Sequence, residues 1–159
     1  MRREIEDLLD IEEIKQVKYL YSHYYDGGEV EKALELFTED AVCEFGPRYG
    51  DWIGRDRIRE KYSGIWATNR ANGGKPYEVL HAFTNPHIML TGPDTAEGWW
   101  YLLEFTTKVG ADNPPRIFGV YRDEYRRVQG SWKIARMRVD FLWPVRAFKG
   151  EPASYTNLR

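Results

Sequence analysis

Apolar side chains recur every three to four positions over residues 4–25, at Ile5, Leu8, Ile11, Ile14, Val17, Tyr21 and Tyr24, which is the spacing of an amphipathic helix. Gly27-Gly28 predicts where that helix stops. A shorter helix is predicted over residues 30–37, with Ala33, Leu34 and Phe37 on one side, followed by a strand over 41–45 and a turn at Gly46-Pro-Arg-Tyr-Gly50. A third helix over 55–66 turns Ile58, Tyr62, Ile65 and Trp66 inward, and the Asn, Gly and Pro residues of 67–76 predict a loop.

Beyond that loop the pattern changes to strands. Residues 77–90 alternate and are interrupted at Asn85-Pro86, where the missing amide donor predicts a bulge or an edge position. Thr91-Gly-Pro-Asp94 turns the chain, and long runs follow over 96–109, 116–128 and 131–143, the last two joined by the hairpin signal Gln129-Gly130. Helices first and antiparallel strands after predict an α+β domain, a cone-shaped roll in which three N-terminal helices pack into a curved, mostly antiparallel sheet with a cavity between them. The whole of 1–159 reads as one domain, with 145–159 as a C-terminal tail.

Composition narrows the classes of function. The 159 residues carry a net charge of −2, which offers no field to phosphate backbones or anionic lipid, so neither nucleic acid nor membrane is an expected partner. A single cysteine, Cys43, fits a reducing compartment, and no stretch approaches the length of a membrane span or a signal peptide's apolar region; a cytoplasmic protein is expected. Six Trp, eleven Tyr and seven Phe are many for this length, and suit either half-wet sheet faces or a pocket for an apolar ligand.

Candidate chemistry is sparse. His23, His81 and His87 share no metal-ligand spacing with each other or with Cys43; on a strand His81 and His87 lie about 20 Å apart, so no metal is expected. Neither glycine pair matches a phosphate cradle, and no serine sits in a nucleophile elbow. Tyr121 to Arg127 mixes arginine with tyrosine but is broken by Asp123 and Glu124, and reads as a solvated strand face. His81 shares strand parity with Val79 and Phe83 and points inward, as a core histidine bonded to a carbonyl or as a general base. Asp26 faces the negative pole of its helix, unfavourable by about 0.3–1 kcal/mol, which calls for a donor such as His81 or for solvent. The helical wheel sets Asp26 off the apolar stripe, so an inward direction needs a helix that loosens at its last turn.

The run Tyr25-Asp26-Gly-Gly-Glu29 followed by Ala33-Leu-Glu-Leu-Phe-Thr-Glu-Asp-Ala-Val42 resembles the opening of SnoaL-like proteins, which share the nuclear transport factor 2 (cystatin-like) fold. Glu78-Val-Leu-His-Ala-Phe-Thr-Asn85 and Tyr125-Arg-Arg-Val-Gln-Gly-Ser-Trp-Lys-Ile134 are similar to strands of scytalone dehydratase and hexachlorocyclohexane dehydrochlorinase. The resemblance spans residues 5–145. It implies that Asp26 and His81 form the dyad those enzymes use without metal or cofactor, with Tyr25 matching the tyrosine before the dehydratase's Asp. Departures are equally specific. The dehydratase's second catalytic His has no counterpart in 98–105, its strand Asn falls at Tyr121, the dehydrochlorinase's cationic positions fall at Tyr21 and Met137, and the catalytic base of steroid Δ-isomerase falls at Phe45.

Together these readings predict a cofactor-independent lyase of the dehydratase type, with His81 as general base and Asp26 as its orienter, acting on a hydrophobic ring-bearing molecule. Tyr21, Tyr25 and Tyr121 are candidate donors to a developing oxyanion, and Trp52, Trp100, Met137 and Phe141 candidate walls. Glu104 shares parity with Trp100 and Leu102, which allows a second acid pointing into the cone, but it reads first as a sheet-surface or subunit-contact carboxylate. Loop 67–76 and tail 145–159 are candidate covers. Alternatives are a noncatalytic ligand-binding or assembly domain, or a cyclase or isomerase using the same dyad. Trp99, Tyr101 and Phe118, on the opposite parity, suit a homo-oligomer formed through the outer sheet face.

Overall fold

The structure is a computed structural model and describes residues 2–148. Helices α1 (Arg2–Asp26) and α2 (Val30–Glu35) lead into β1 (Phe37–Glu44); a one-turn helix α3 (Gly46–Tyr49), β2 (Asp51–Ile53) and α4 (Arg55–Ala71) follow, then four long strands, β3 (Val79–Gly92), β4 (Thr95–Thr106), β5 (Pro115–Val128) and β6 (Ser131–Trp143). The six strands form one sheet in the order β2-β1-β6-β5-β4-β3, antiparallel except where β1 runs parallel to β6. This is the expected α+β roll, with α1 packed against β3 and β6.

Several elements differ from expectation. The Gly46–Gly50 turn contains α3 and leads into β2, which pairs Trp52 with Cys43. Helix α4 runs five residues past 66 before Asn72 and Gly73 stop it, so only the remainder of 67–76 is loop. The apolar stripe of α1 is buried only from Ile14 onward, while Ile5 and Leu8 are exposed, so the first turns of this 25-residue helix extend beyond the packed core. The stretch 121–127 is not a solvated face. Tyr121, Asp123 and Tyr125 are buried on its inner side, and only Arg122, Glu124 and Arg126 point outward.

Two local features position the site. Gly28 (φ 77°) closes α1 with paired bonds, its N–H donating to Tyr25 O and the Glu29 N–H to Tyr24 O, a Schellman stop that holds the last turn in register. In β3, a sheet edge, Asn85 takes φ 52° and the pairing with β4 slips there, so the interruption at Asn85-Pro86 is a bulge. Gln129 and Gly130 both take positive φ, as the β5–β6 hairpin requires.

On the outer face, Tyr101 and Trp143 are exposed, Phe118 is half-buried, and Trp99 is covered by Arg122 and flanked by His87. The tail begins by turning back onto β6, Ala147 bonding both ways to Phe141, and the rest, 149–159, lies outside the described residues. Among the described residues no helix is long and apolar enough to cross a membrane.

Candidate active site

The end of α1 lies against the open edge of β3. Because β3 has no further neighbour on that side, the outward N–H of His81 is free of the ladder, and it donates to Asp26 Oδ2 at 2.8 Å. The ring Nδ1–H of His81 donates to Asp26 Oδ1 at 2.5 Å. The Tyr77 N–H, donating to Asp26 O at 2.8 Å, stitches the same helix end to the start of the strand. The helical wheel was right that Asp26 leaves the stripe, but the helix does not loosen. Asp26 points sideways to β3 and is buried there.

A second carboxylate completes the arrangement. Glu104, directly opposite His81 on β4, brings Oε2 to 3.3 Å from His81 Nε2, while Arg116 Nε stands 3.3 Å from Glu104 Oε1. Its side chain is buried and faces the cavity, which corrects the expectation of a surface carboxylate. Burial pushes the His81 imidazole down, but its hydrogen bonds with Asp26 and Glu104 outweigh this and lift it to about 9. Burial likewise pushes Glu104 up, yet His81 and Arg116 hold it below the usual carboxylate range. Both shifts run toward a protonated imidazole beside an ionised Glu104.

This trio forms one wall of a cavity of about 390 Å³. Tyr21, Tyr25, Asp26, Trp52, His81, Tyr121 and Phe141, all singled out from the sequence, line it. Trp100 and Met137 do not. Both are fully buried in packed core, Trp100 donating its Nε1–H to Tyr125 OH at 3.2 Å and Met137 lying opposite Cys43 and Asp123 in the sheet. Deep in the cavity Tyr21 and Tyr62 share a hydroxyl–hydroxyl bond of 2.7 Å, and burial raises both phenols. The hydroxyls of Tyr25 and Tyr121 have no partner among the described residues, and these side chains line the cavity with donors unspent. Tyr25 also stands edge-on to the His81 ring, 5.5 Å between centroids.

Thr68, Asn69 and Lys75, from the segment expected to cover the mouth, lie in the lining. The structure takes the second reading of Glu104, the inward acid, over the preferred surface one; the sequence reading missed its pairing with His81, Arg116, and the cation Lys18 behind the tyrosine floor. Lys18 Nζ lies 2.8 Å from Asp123 Oδ2 and 3.9 and 4.2 Å from the ring centroids of Tyr121 and Phe83. A signal for Lys18 was present: it falls between Ile14 and Tyr21 on the buried stripe. No group of three or more His, Cys, Asp or Glu that could hold a metal ion occurs among the described residues.

Residues 6–138 match the SnoaL-like domain family, and the chain belongs to it. Solved structures agree on the fold. An NTF2-like protein with a cystatin-like fold from Novosphingobium aromaticivorans superposes with a TM-score of 0.76 at 21% identity, covering 91% of this chain and 89% of that one. A protein of the same organism, provisionally named a scytalone dehydratase, gives 0.72 at 23% identity over 92% and 97%. Another, provisionally named an aromatic ring hydroxylase, gives 0.69 at 27% over 89% and 94%. No curated protein matches the chain.

Proposed function

We propose that this protein is a cofactor-independent lyase of the dehydratase type, acting on a hydrophobic ring-bearing small molecule. The observation that carries the reading is the chain Asp26–His81–Glu104 set into the wall of an aromatic cavity. The raised imidazole reverses the general-base role expected of His81. Resting as an imidazolium, His81 is the general acid, and the neighbouring Glu104 carboxylate is the base. Glu104 takes a proton from carbon beside a carbonyl, the C–H electrons form the double bond, and the β C–O bond breaks. His81 Nε2–H protonates the departing hydroxide to water, and the proton on Glu104 then returns to His81. Asp26 fixes the ring and balances its charge throughout. The free hydroxyls of Tyr25 and Tyr121 supply donors to the enolate oxygen.

The test is a screen of cyclic β-hydroxy ketones for products lighter by one water, repeated with His81→Ala, Asp26→Asn and Glu104→Gln. Water loss by the wild type, abolished in the His81 variant, supports the reading. Products of unchanged mass assign the same residues to an isomerase or cyclase, and binding without turnover assigns a ligand-binding domain. Self-association through the outer face, where Tyr101 and Trp143 are exposed, belongs to the same proposal and is tested by sedimentation of the wild type and Tyr101→Asp.

A further inference from the structure

The charges of the cavity are unevenly shared. Both lining carboxylates, Asp26 and Glu104, are engaged by His81, so neither is available to a substrate cation. The exposed part of the lining, where the cavity opens, carries Lys75 and Arg116. Arg116 touches Glu104 alone among acidic groups described, and Lys75 has no carboxylate partner among the described residues. Arg48, exposed beside Tyr49, adds a third positive charge that acts on Glu104 through space. The interior, by contrast, is closed by rings and aliphatic side chains such as Phe45, Trp52, Leu102 and Val139.

An aromatic chamber with surplus cations at its open end matches one kind of molecule. We propose that the substrate is an anionic ring compound, a carboxylic acid, whose rings enter the chamber while its carboxylate stays at the mouth on Lys75 and Arg116. Low-dielectric walls concentrate the field of those cations at the opening, which draws anions in and turns cations away. Charge-assisted hydrogen bonds to a carboxylate then fix which end of the molecule faces His81. The proposal names the substrate class of the site described above and rests on that site being a ligand cavity.

The test compares 2-naphthoate with 2-naphthamide, which share rings and size and differ in charge, by calorimetric titration at pH 7.5 in low and high salt. The expected result is that naphthoate binds about tenfold tighter at low salt, that salt erodes the difference, and that Lys75→Gln with Arg116→Gln removes it. Equal affinity for the two probes overturns the proposal, as does failure of both to bind. A preference kept in the double variant but lost in His81→Ala also overturns it, because the carboxylate would then sit on the imidazolium. These outcomes are separable from the lyase reading: naphthoate preference without any dehydration sinks only the latter, and dehydration of neutral ketones with no charge preference sinks only the former.

Discussion

Lys18 and Asp123 face each other at 2.8 Å with neither side chain open to solvent. Burial pushes Lys18 down and Asp123 up, and each partner counters the other's shift. Asp123 also accepts the Tyr125 hydroxyl at 2.9 Å. Removing one partner strands the other charge, so Lys18→Met or Asp123→Leu alone is expected to cost about 3–5 kcal/mol. The double variant is expected to recover most of that, because two apolar side chains replace a pair whose desolvation offsets its attraction. Urea unfolding of all four proteins measures the coupling, and additive losses would contradict it.

The His81 imidazole is expected to titrate near pH 9, read from its ring proton shifts by NMR. Asp26→Asn and Glu104→Gln each remove a negative partner and so each lower the midpoint. A midpoint at or below 6.5 in the wild type would mean that the imidazolium is not held as described.

Stability follows the same shift. Because the folded value, about 9, lies above the ordinary 6.5, the contribution is fully present below pH 6.5 and is lost as pH rises through 9. Its size is on the order of 3 kcal/mol. Urea midpoints from pH 6 to 10 are expected to fall more steeply for the wild type than for His81→Asn.

Once a substrate is in hand, His81→Ala and Glu104→Gln are each expected to lower kcat by about 10²–10⁴. Tyr121→Phe and Tyr25→Phe should lower kcat while leaving the melting temperature nearly unchanged, since neither hydroxyl has a protein partner among the described residues. Tyr62→Phe, which breaks the 2.7 Å bond to Tyr21, is expected to cost about 1 kcal/mol of stability. Paired melting and rate measurements separate the two groups.

Two glycines should respond in opposite directions. At Gly28 the backbone is left-handed and an added Cβ would meet Trp66 at 3.2 Å, so Gly28→Ala is expected to destabilise by about 1–2 kcal/mol. Gly64 lies inside α4 with open space around it, so Gly64→Ala is expected to stabilise by about 1 kcal/mol. Thermal unfolding reads both.

Much of this was legible in the chain because its signals are local. The three-to-four spacing from Ile14 to Tyr21, the Gly27-Gly28 stop, the Gln129-Gly130 turn and the break at Asn85-Pro86 each act within a few residues, and each falls where expected. The helix dipole left Asp26 to a donor such as His81 or to solvent, the wheel set it off the apolar stripe, and the family resemblance chose His81. The pairing of Glu104 with His81 was hidden by register. Counting eleven residues back from the Gly92–Thr95 pair, an unbroken ladder sets His81 opposite Thr106, and the slips after Thr84 and Leu90 bring Glu104 there instead. Parity reports which face a side chain takes and says nothing of which neighbour it meets. Lys18 was passed over because charge argues for the surface, and only its partner Asp123, more than a hundred residues away in sequence, makes its burial tolerable.

The border of the sheet at β3 has a consequence for assembly. An unclaimed main-chain amide on such a border is a template for the strand of another molecule, and Asp26 occupies the one at His81. The carboxylate that orients the imidazole is therefore also a stopper against lateral growth. Asp26→Asn, which keeps an acceptor oxygen, is expected to preserve the stopper and Asp26→Ala to unseal it, so that only the alanine variant gains self-association along this border in sedimentation.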